Sequence, residues 1–256
     1  MPINLNLPKK AGLFVTGTDT GVGKTLIAGA IAKILTDKGL KVGVFKPIAT
    51  GCKHSPVRRS ASEVGWDGLI SDDTEFLSYC ANSDLSLSTI TPVGYHTPAA
   101  PIVSAACDGS AIDFDRIAAA YKDICQNSDI VIVEGIGGVR VPLTEEFDLL
   151  DLAVEFALPA VIVARPNLGT INHTLMTIDC VRAAKLKIAG VVINGYKATE
   201  STTAEDTAPE VIAQCSGVDI LSVVPFDETV DIEEPNLGEF IVGSLMDCDW
   251  AKLAGR

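Results

Sequence analysis

Positive charge is scarce in this chain: 20 lysines and arginines stand against 33 aspartates and glutamates, a formal net charge of −13. A protein that holds a nucleic-acid backbone presents a basic field, so that class is disfavoured, and an anionic membrane surface would not attract it. Long apolar runs are missing as well, and no stretch approaches a membrane span. Seven cysteines, at positions 52, 80, 107, 125, 180, 215 and 248, include no CxxC pair. That pattern excludes a small disulfide scaffold and leaves buried thiols in a reducing compartment, so a cytoplasmic location is expected. His54, His96 and His173 lack the spacing of a zinc site. Residues 1–10 are too polar and proline-punctuated for an export signal and are expected to form a loose tail. Neither an internal repeat nor a linker between independent patterns is visible, so residues 1–256 read as one domain.

What is present is an ordinary globular share of apolar residues, 47% of 256. They fall into alternating strand-like and helix-like segments. Strands are expected at 12–16, 41–45, 130–134, 159–164, 188–193 and 220–224. Helices are expected at 24–38, 112–126, 148–156, 169–185, 203–215 and 234–245. Ile130 to Val133 and Ala160 to Val163 are apolar at consecutive positions, which suits strands covered on both faces. The expected fold is therefore a three-layer α/β/α arrangement with a mostly parallel central sheet, whose ligands gather at the carboxyl ends of the strands. The least regular stretch, 51–71, carries Lys53, His54, Arg58, Arg59 and Trp66 and reads as a surface loop, with a lid over an anionic ligand as the alternative.

Between the first strand and the first helix lies Gly17-Thr-Asp-Thr-Gly-Val-Gly23-Lys24-Thr25, a phosphate loop with one spacer more than G-x-x-x-x-G-K-[ST]. Amides of Gly21, Val22, Gly23, Lys24 and Thr25 can wrap a diphosphate, Lys24 can reach its outer oxygens, and the Thr25 hydroxyl can meet Mg²⁺. A helix-start lysine opposes the helix dipole unless an anion is present. Lys46 follows a strand and precedes Pro47, and so points at the same rim, where a second cation would stabilise a transferring phosphoryl group. Thr50 nearby can bind substrate or close a turn. Glu134 ends an apolar strand and enters Gly135-Ile136-Gly137-Gly138, where a carboxylate can reach Mg²⁺. Asp72 and Asp73 are equal candidates to complete a metal shell or cap a helix. Asn194 can read a base edge or open an Asn-Gly turn.

The ordered set Val15 to Thr25, Phe45 to Gly51, Ser71-Asp72, Val133 to Gly138, Val141 to Leu143, Leu168 to His173 and Val224-Pro225 resembles the dethiobiotin synthetase family. The resemblance spans nearly all of 12–227 and implies a homodimeric P-loop NTPase fold. The implied reaction uses ATP, Mg²⁺, CO₂ and 7,8-diaminopelargonic acid, forming a carbamate, then a carbamic-phosphoric anhydride, then the ureido ring. Carried over by motif, Lys24, Lys46 and Thr20 would serve the reaction, and Thr25, Asp72 and Glu134 would hold Mg²⁺. Thr50, Gly137, Gly138 and Asn172 would meet the substrate, the last from a dimer partner. Asn194, Pro225, Phe226 and Asp227 would form the adenine pocket. Gly21 departs from members with a glutamate there. A cobyrinate-type amide synthase would need a glutaminase domain that 256 residues leave little room for. A ParA/MinD-like switch ATPase would carry a lysine where Thr18 stands.

Overall fold

A computed structural model describes residues 3–54 and 68–256. Six parallel strands form the central sheet: β1 (Gly12–Gly17), β2 (Val42–Phe45), β7 (Ile130–Gly138), β8 (Ala160–Ala164), β9 (Ile188–Tyr196) and β10 (Ile220–Pro225), in the order β10-β9-β8-β1-β7-β2. β1, β2 and β8 are buried along their whole length, so nearly every position is apolar and no alternation survives. Their period is visible only in which layer each side chain enters. Leu13, Val15, Ile130 and Ile132 pack on one face with α1 (Lys24–Asp37), α2 (Asp72–Ala81) and α9 (Ile241–Leu245). Phe14, Val131 and Val133 pack on the other with α5 (Phe114–Asn127) and α6 (Leu149–Phe156). Beside them on that face, Ile162, Val191 and Ile193 meet α7 (Thr170–Ala183) and α8 (Thr203–Ser216). The expected three layers and parallel sheet are present.

Between α1 and β7 the chain is more finely divided than its sequence suggests. It contains β3 (Ile48–Thr50), β4 (Lys53–His54), β5 (Leu69–Ile70), α3 (Leu87–Ile90), β6 (Val93–Tyr95) and α4 (Pro101–Asp108). β3 pairs with β6, and β4 with β5, as two small ribbons. So 51–71 is not one irregular loop throughout; Arg58, Arg59 and Trp66 lie outside the described residues. α2 crosses α1 closely at Gly29, where a Cβ would stand 2.6 Å from the Phe76 ring.

Two expectations are corrected. The helix at 234–245 shortens to α9: Gly238 is left-handed at φ 72°, and the amides of Gly238, Glu239 and Phe240, which such a helix would bond to its own carbonyls, go to the side chains of Asn236 and Asp227. Those bonds turn 227–240 into an irregular strap. The opening segment is docked rather than loose: the Glu155 carboxylate accepts from the amides of Asn4 and Leu5 at 2.9 and 2.7 Å, and Leu5 is buried. α10 (Trp250–Leu253) closes the α1 layer, its fully buried Trp250 donating Nε1–H to the Leu245 carbonyl. Among the described residues no helix is long and apolar enough to cross a membrane.

Candidate active site

Strand parity aims the charged side chains. Glu134 shares the face of Ile130 and Ile132, Lys46 continues the face of Val44, and both therefore enter the layer that holds α1. A register shift between β1 and β7, with Val15 opposite Glu134 but Gly17 opposite Gly138, makes room at that rim. The loop from Gly17 to Gly23 turns over the space and delivers Lys24 and Thr25 into it. Gly23 caps α1 at φ 93°, a left-handed conformation that favours glycine.

These elements enclose an open cavity of about 420 Å³. Its floor is polar, with Lys24, Thr25, Lys46, Asp73 and Glu134; Thr20, Gly21, Gly23, Thr50 and Gly137 form the sides. Lys46 Nζ lies 2.5 Å from Asp73 Oδ2 and 2.7 Å from Glu134 Oε1. Thr25 Oγ1 lies 3.1 Å from Asp73 Oδ1 and 2.9 Å from Glu134 Oε1. Burial alone would lower the Lys46 pKa, but the two carboxylates overcome it and hold the ammonium protonated well above its usual range. Burial pushes the Glu134 carboxyl up, against the pull of Lys46. Burial also works on Asp73, where the Lys46 charge and hydrogen bond outweigh it and lower the carboxyl. Lys24 is lowered by burial, and its Nζ donates to the Asp19 carbonyl at 3.1 Å.

The donor set fits a small hard cation. The single Thr25 proton can serve only one of the two carboxylates beside it, and Glu134 Oε2 is buried without a hydrogen-bond partner. Two carboxylates and a hydroxyl beside a phosphate loop are oxygen ligands of the kind Mg²⁺ takes, with phosphates and water completing its shell. Among the described residues no three His, Cys, Asp or Glu side chains gather around one point, so the hydroxyl is needed to make the set.

The geometry redirects one expected residue. Asp72 faces away from the cavity and pairs with Lys53 at 2.8 Å, while Asp73 faces in. Successive helix residues point about 100° apart, so only one of them can reach Thr25. Asn194 gives its amide Nδ2 to the Val22 carbonyl at 2.9 Å, and a Cβ on Gly23 would overlap that amide. Its side chain thus grips the phosphate loop. Gly138 backs the loop at Gly17 instead of lining the cavity. Phe226 is half-exposed beneath the Lys197 ammonium, 4.6 Å from the ring centroid, after Pro225 at the end of β10. Asp227 accepts from the amides of Thr229, Glu239 and Phe240, organising the strap. Asn172 is exposed in the first turn of α7, outside this cavity.

Sequence reasoning missed Ile136, Val230 and Ile232, which give the cavity an apolar side. It also missed Asp19 and Arg165, which join across the loop. Arg165 follows an apolar strand just as Lys46 does, and that shared signal marks it.

A family signature described as an AAA domain matches residues 11–234. The ATP-dependent dethiobiotin synthetase BioD of Thermodesulfovibrio yellowstonii is 36% identical over 238 residues, covering 90% of this chain and 94% of that protein. The protein of the same name from Bacillus subtilis strain 168 is 38% identical, with 84% and 87% covered. That of Methanococcus vannielii is 33% identical, with 88% and 99% covered. Among solved structures, the MinD cell division protein of Aquifex aeolicus superposes with a TM-score of 0.57 at 17% identity, covering 96% of this chain and 97% of its own. The MinC:MinD complex of the same organism gives 0.54 at 18% identity, with 96% of each chain covered. These two likenesses show the fold alone. The relatives along the whole chain decide the family: this protein belongs to the ATP-dependent dethiobiotin synthetases.

Proposed function

We propose that this protein carboxylates 7,8-diaminopelargonic acid with CO₂ and closes the ureido ring of dethiobiotin at the expense of ATP. The observation that carries the reading is the Lys46 ammonium, held by Asp73 and Glu134 at the floor of the cavity that Lys24 and Thr25 also enter. A reaction that moves a phosphoryl group onto an anionic oxygen needs fixed cations on both sides of the transferring group.

In this reading one substrate amine adds to CO₂ and loses a proton, giving a carbamate. A carbamate oxygen attacks the γ-phosphorus as its bond to the bridging oxygen breaks, and ADP leaves. The second amine then attacks the carbamoyl carbon, phosphate departs, and the amine proton is lost. Bound Mg²⁺ would neutralise charge on the phosphates, held by Thr25, Asp73 and Glu134. Lys24 meets the phosphate oxygens, and Lys46 stabilises the carbamate and the oxygens gathering negative charge. Thr20 and Thr50 orient the diamine. Gly137, at φ 60° with no side chain, lets its backbone approach the substrate. Ile136 offers apolar contact to an alkyl chain. Asn194, Pro225 and Phe226 border the base, with Asp227 fixing their turn.

The second part of the proposal is a homodimer, with Asn172 reaching the partner's diamine pocket. Met176 (52% exposed) stands one helical turn beyond Asn172, and Leu168 (88% exposed) just precedes α7, exposed apolar side chains of the kind that a partner subunit covers. Such a dimer would hold both amines in register. Free cysteines suit action in the cytoplasm. The test supplies diaminopelargonate, bicarbonate, Mg²⁺ and ATP and looks for dethiobiotin by mass, with ADP and phosphate in equal amounts. A folded protein that binds ATP and yields no ring product would overturn the reading.

A further inference from the structure

The phosphate loop has little stiffness of its own. Gly21 and Gly23 take φ values of 72° and 93°, and nothing stands within 4 Å of where a Gly21 side chain would be. The loop is held from outside, at two points, by side chains from the ends of neighbouring strands. Asn194, on β9, grips its rear half at Val22. Arg165 grips the front. It is the first residue beyond β8, whose Val163 lies opposite Gly17 in register and accepts the amide of Thr18, so its Cα stands just past the opening of the loop.

From there one guanidinium nitrogen, Nη2, donates to Asp19 Oδ2 and to the Thr20 carbonyl, both at 3.0 Å. Asp19 is the hub of this contact. Its other carboxylate oxygen accepts the Thr20 amide at 2.7 Å, and its own carbonyl accepts from Lys24 Nζ. A single bond network therefore runs from Arg165 through Asp19 to the Lys24 ammonium and to the backbone of Thr20, two residues that line the cavity. We propose that Arg165, acting through Asp19, is a positioning residue of the phosphate loop. It fixes the Asp19–Thr20 segment, and with it Lys24, in the conformation that meets a nucleotide's phosphates. This rests on the reading of the cavity as a nucleotide site.

The charge balance gives the idea its test. If Arg165 served phosphate directly, Asp19 would be a competitor for it, and Asp19→Ala would tighten nucleotide binding. If Arg165 positions the loop through Asp19, either truncation loosens the same segment and the two losses do not add. The pair is partly exposed, at 43% and 57%, so removing it should leave the fold intact.

The experiment measures the affinity of the full-length protein for a non-hydrolysable ATP analogue with Mg²⁺, alongside thermal melting. Arg165→Ala is expected to weaken binding about fivefold, what a coupling near 1 kcal/mol gives. Asp19→Ala should weaken it comparably, and the double variant should bind no worse than the weaker single one. Arg165→Lys, which keeps the charge without the planar fork, should recover part of the loss. Unaltered affinity in Arg165→Ala, tighter binding in Asp19→Ala, or losses that multiply in the double variant would each overturn the proposal. A wild-type protein that fails to bind the analogue would bring down the nucleotide reading itself, and is told apart by that control.

Discussion

Replacing Lys46 by methionine isolates what its ammonium does, because the apolar stem is kept and no large cavity opens. Lys46 is 4% exposed and Glu134 1%, and their charged atoms are 2.7 Å apart. Removing one partner of a buried ion pair costs about 3–5 kcal/mol, since the other charge is left without compensation. Asp73, with a side chain 35% exposed, can regain water, which puts the expected loss near 3 kcal/mol at neutral pH. For a chain of this size that corresponds to a fall of about 6–12 °C in melting temperature. The pH dependence has a definite sign. Burial already raises the Glu134 carboxyl, and without Lys46 it rises further. A carboxyl whose folded pKa lies above its unfolded one makes the folded state bind more protons, so stability falls as pH rises through the folded value and returns as pH drops. The variant should therefore regain stability relative to wild type as pH is lowered from neutral toward the ordinary carboxylate range. Adding Glu134→Gln should restore most of the loss at neutral pH. Mg²⁺ should protect Lys46→Met more than wild type, because a divalent cation no longer has to displace the ammonium from the two carboxylates. Melting curves across pH, with and without Mg²⁺, measure all of this. A variant that melts with wild type at every pH would refute the account of Lys46 as the counter-ion of Glu134.

Asp73→Asn should raise the Mg²⁺ requirement about tenfold or more, while Asp72→Asn, which loses a surface contact to Lys53, should leave it unchanged; Mn²⁺ titration followed by spin resonance reads this directly, and the reverse result would return the metal role to Asp72. Gly23→Ala should abolish nucleotide binding, because the new methyl both strains a left-handed residue and strikes the Asn194 amide. Gly39→Ala, equally left-handed but with nothing nearby, should cost only about 1–2 kcal/mol of stability and leave binding intact; equal losses of binding in the two would contradict the role given to Asn194. Glu155→Ala should expose the segment around Asn4 and Leu5 to faster amide exchange without changing turnover, and protection equal to wild type would show that the two hydrogen bonds do not hold it.

The central sheet was legible because burial on both faces forces long apolar runs, and five consecutive buried residues such as Ala160–Ala164, too few for a helix, fit a strand covered from both sides. Between 87 and 95 the elements are short: a three-residue strand or a four-residue helix contains too little of any period to be recognised. The strap misled in a different way. Its acidic and apolar residues fall at helix-like spacing, but the Asn236 and Asp227 side chains take the amides of Gly238, Glu239 and Phe240 that a helix would use. Asp72 and Asp73 could not be separated because each is chemically able to bind a metal, and only the rotation of α2 against α1 decides which one faces Thr25.

A chain with net −13 can hold a polyphosphate only where local positive charge offsets its overall field. The site resolves this locally. Lys24 and Lys46 converge there, Lys46 met by Asp73 and Glu134 and Lys24 by the Asp19 carbonyl, while Arg165 pairs with Asp19 on the loop beside them. Two cations, Lys24 and Lys46, and two carboxylates, Asp73 and Glu134, leave the floor near neutral, so desolvating it does not leave a large uncompensated charge. In the proposed reaction Asp73 and Glu134 would hold Mg²⁺, which would neutralise phosphate charge, and Lys24 would meet the phosphate oxygens. The Lys46 ammonium, shared between the same two carboxylates, would then be available to an anionic substrate. A buried lysine with no carboxylate beside it would lose its proton to desolvation. Its carboxylate partners therefore keep Lys46 charged and ready for an anionic ligand, and the proposed metal site shares the same two side chains.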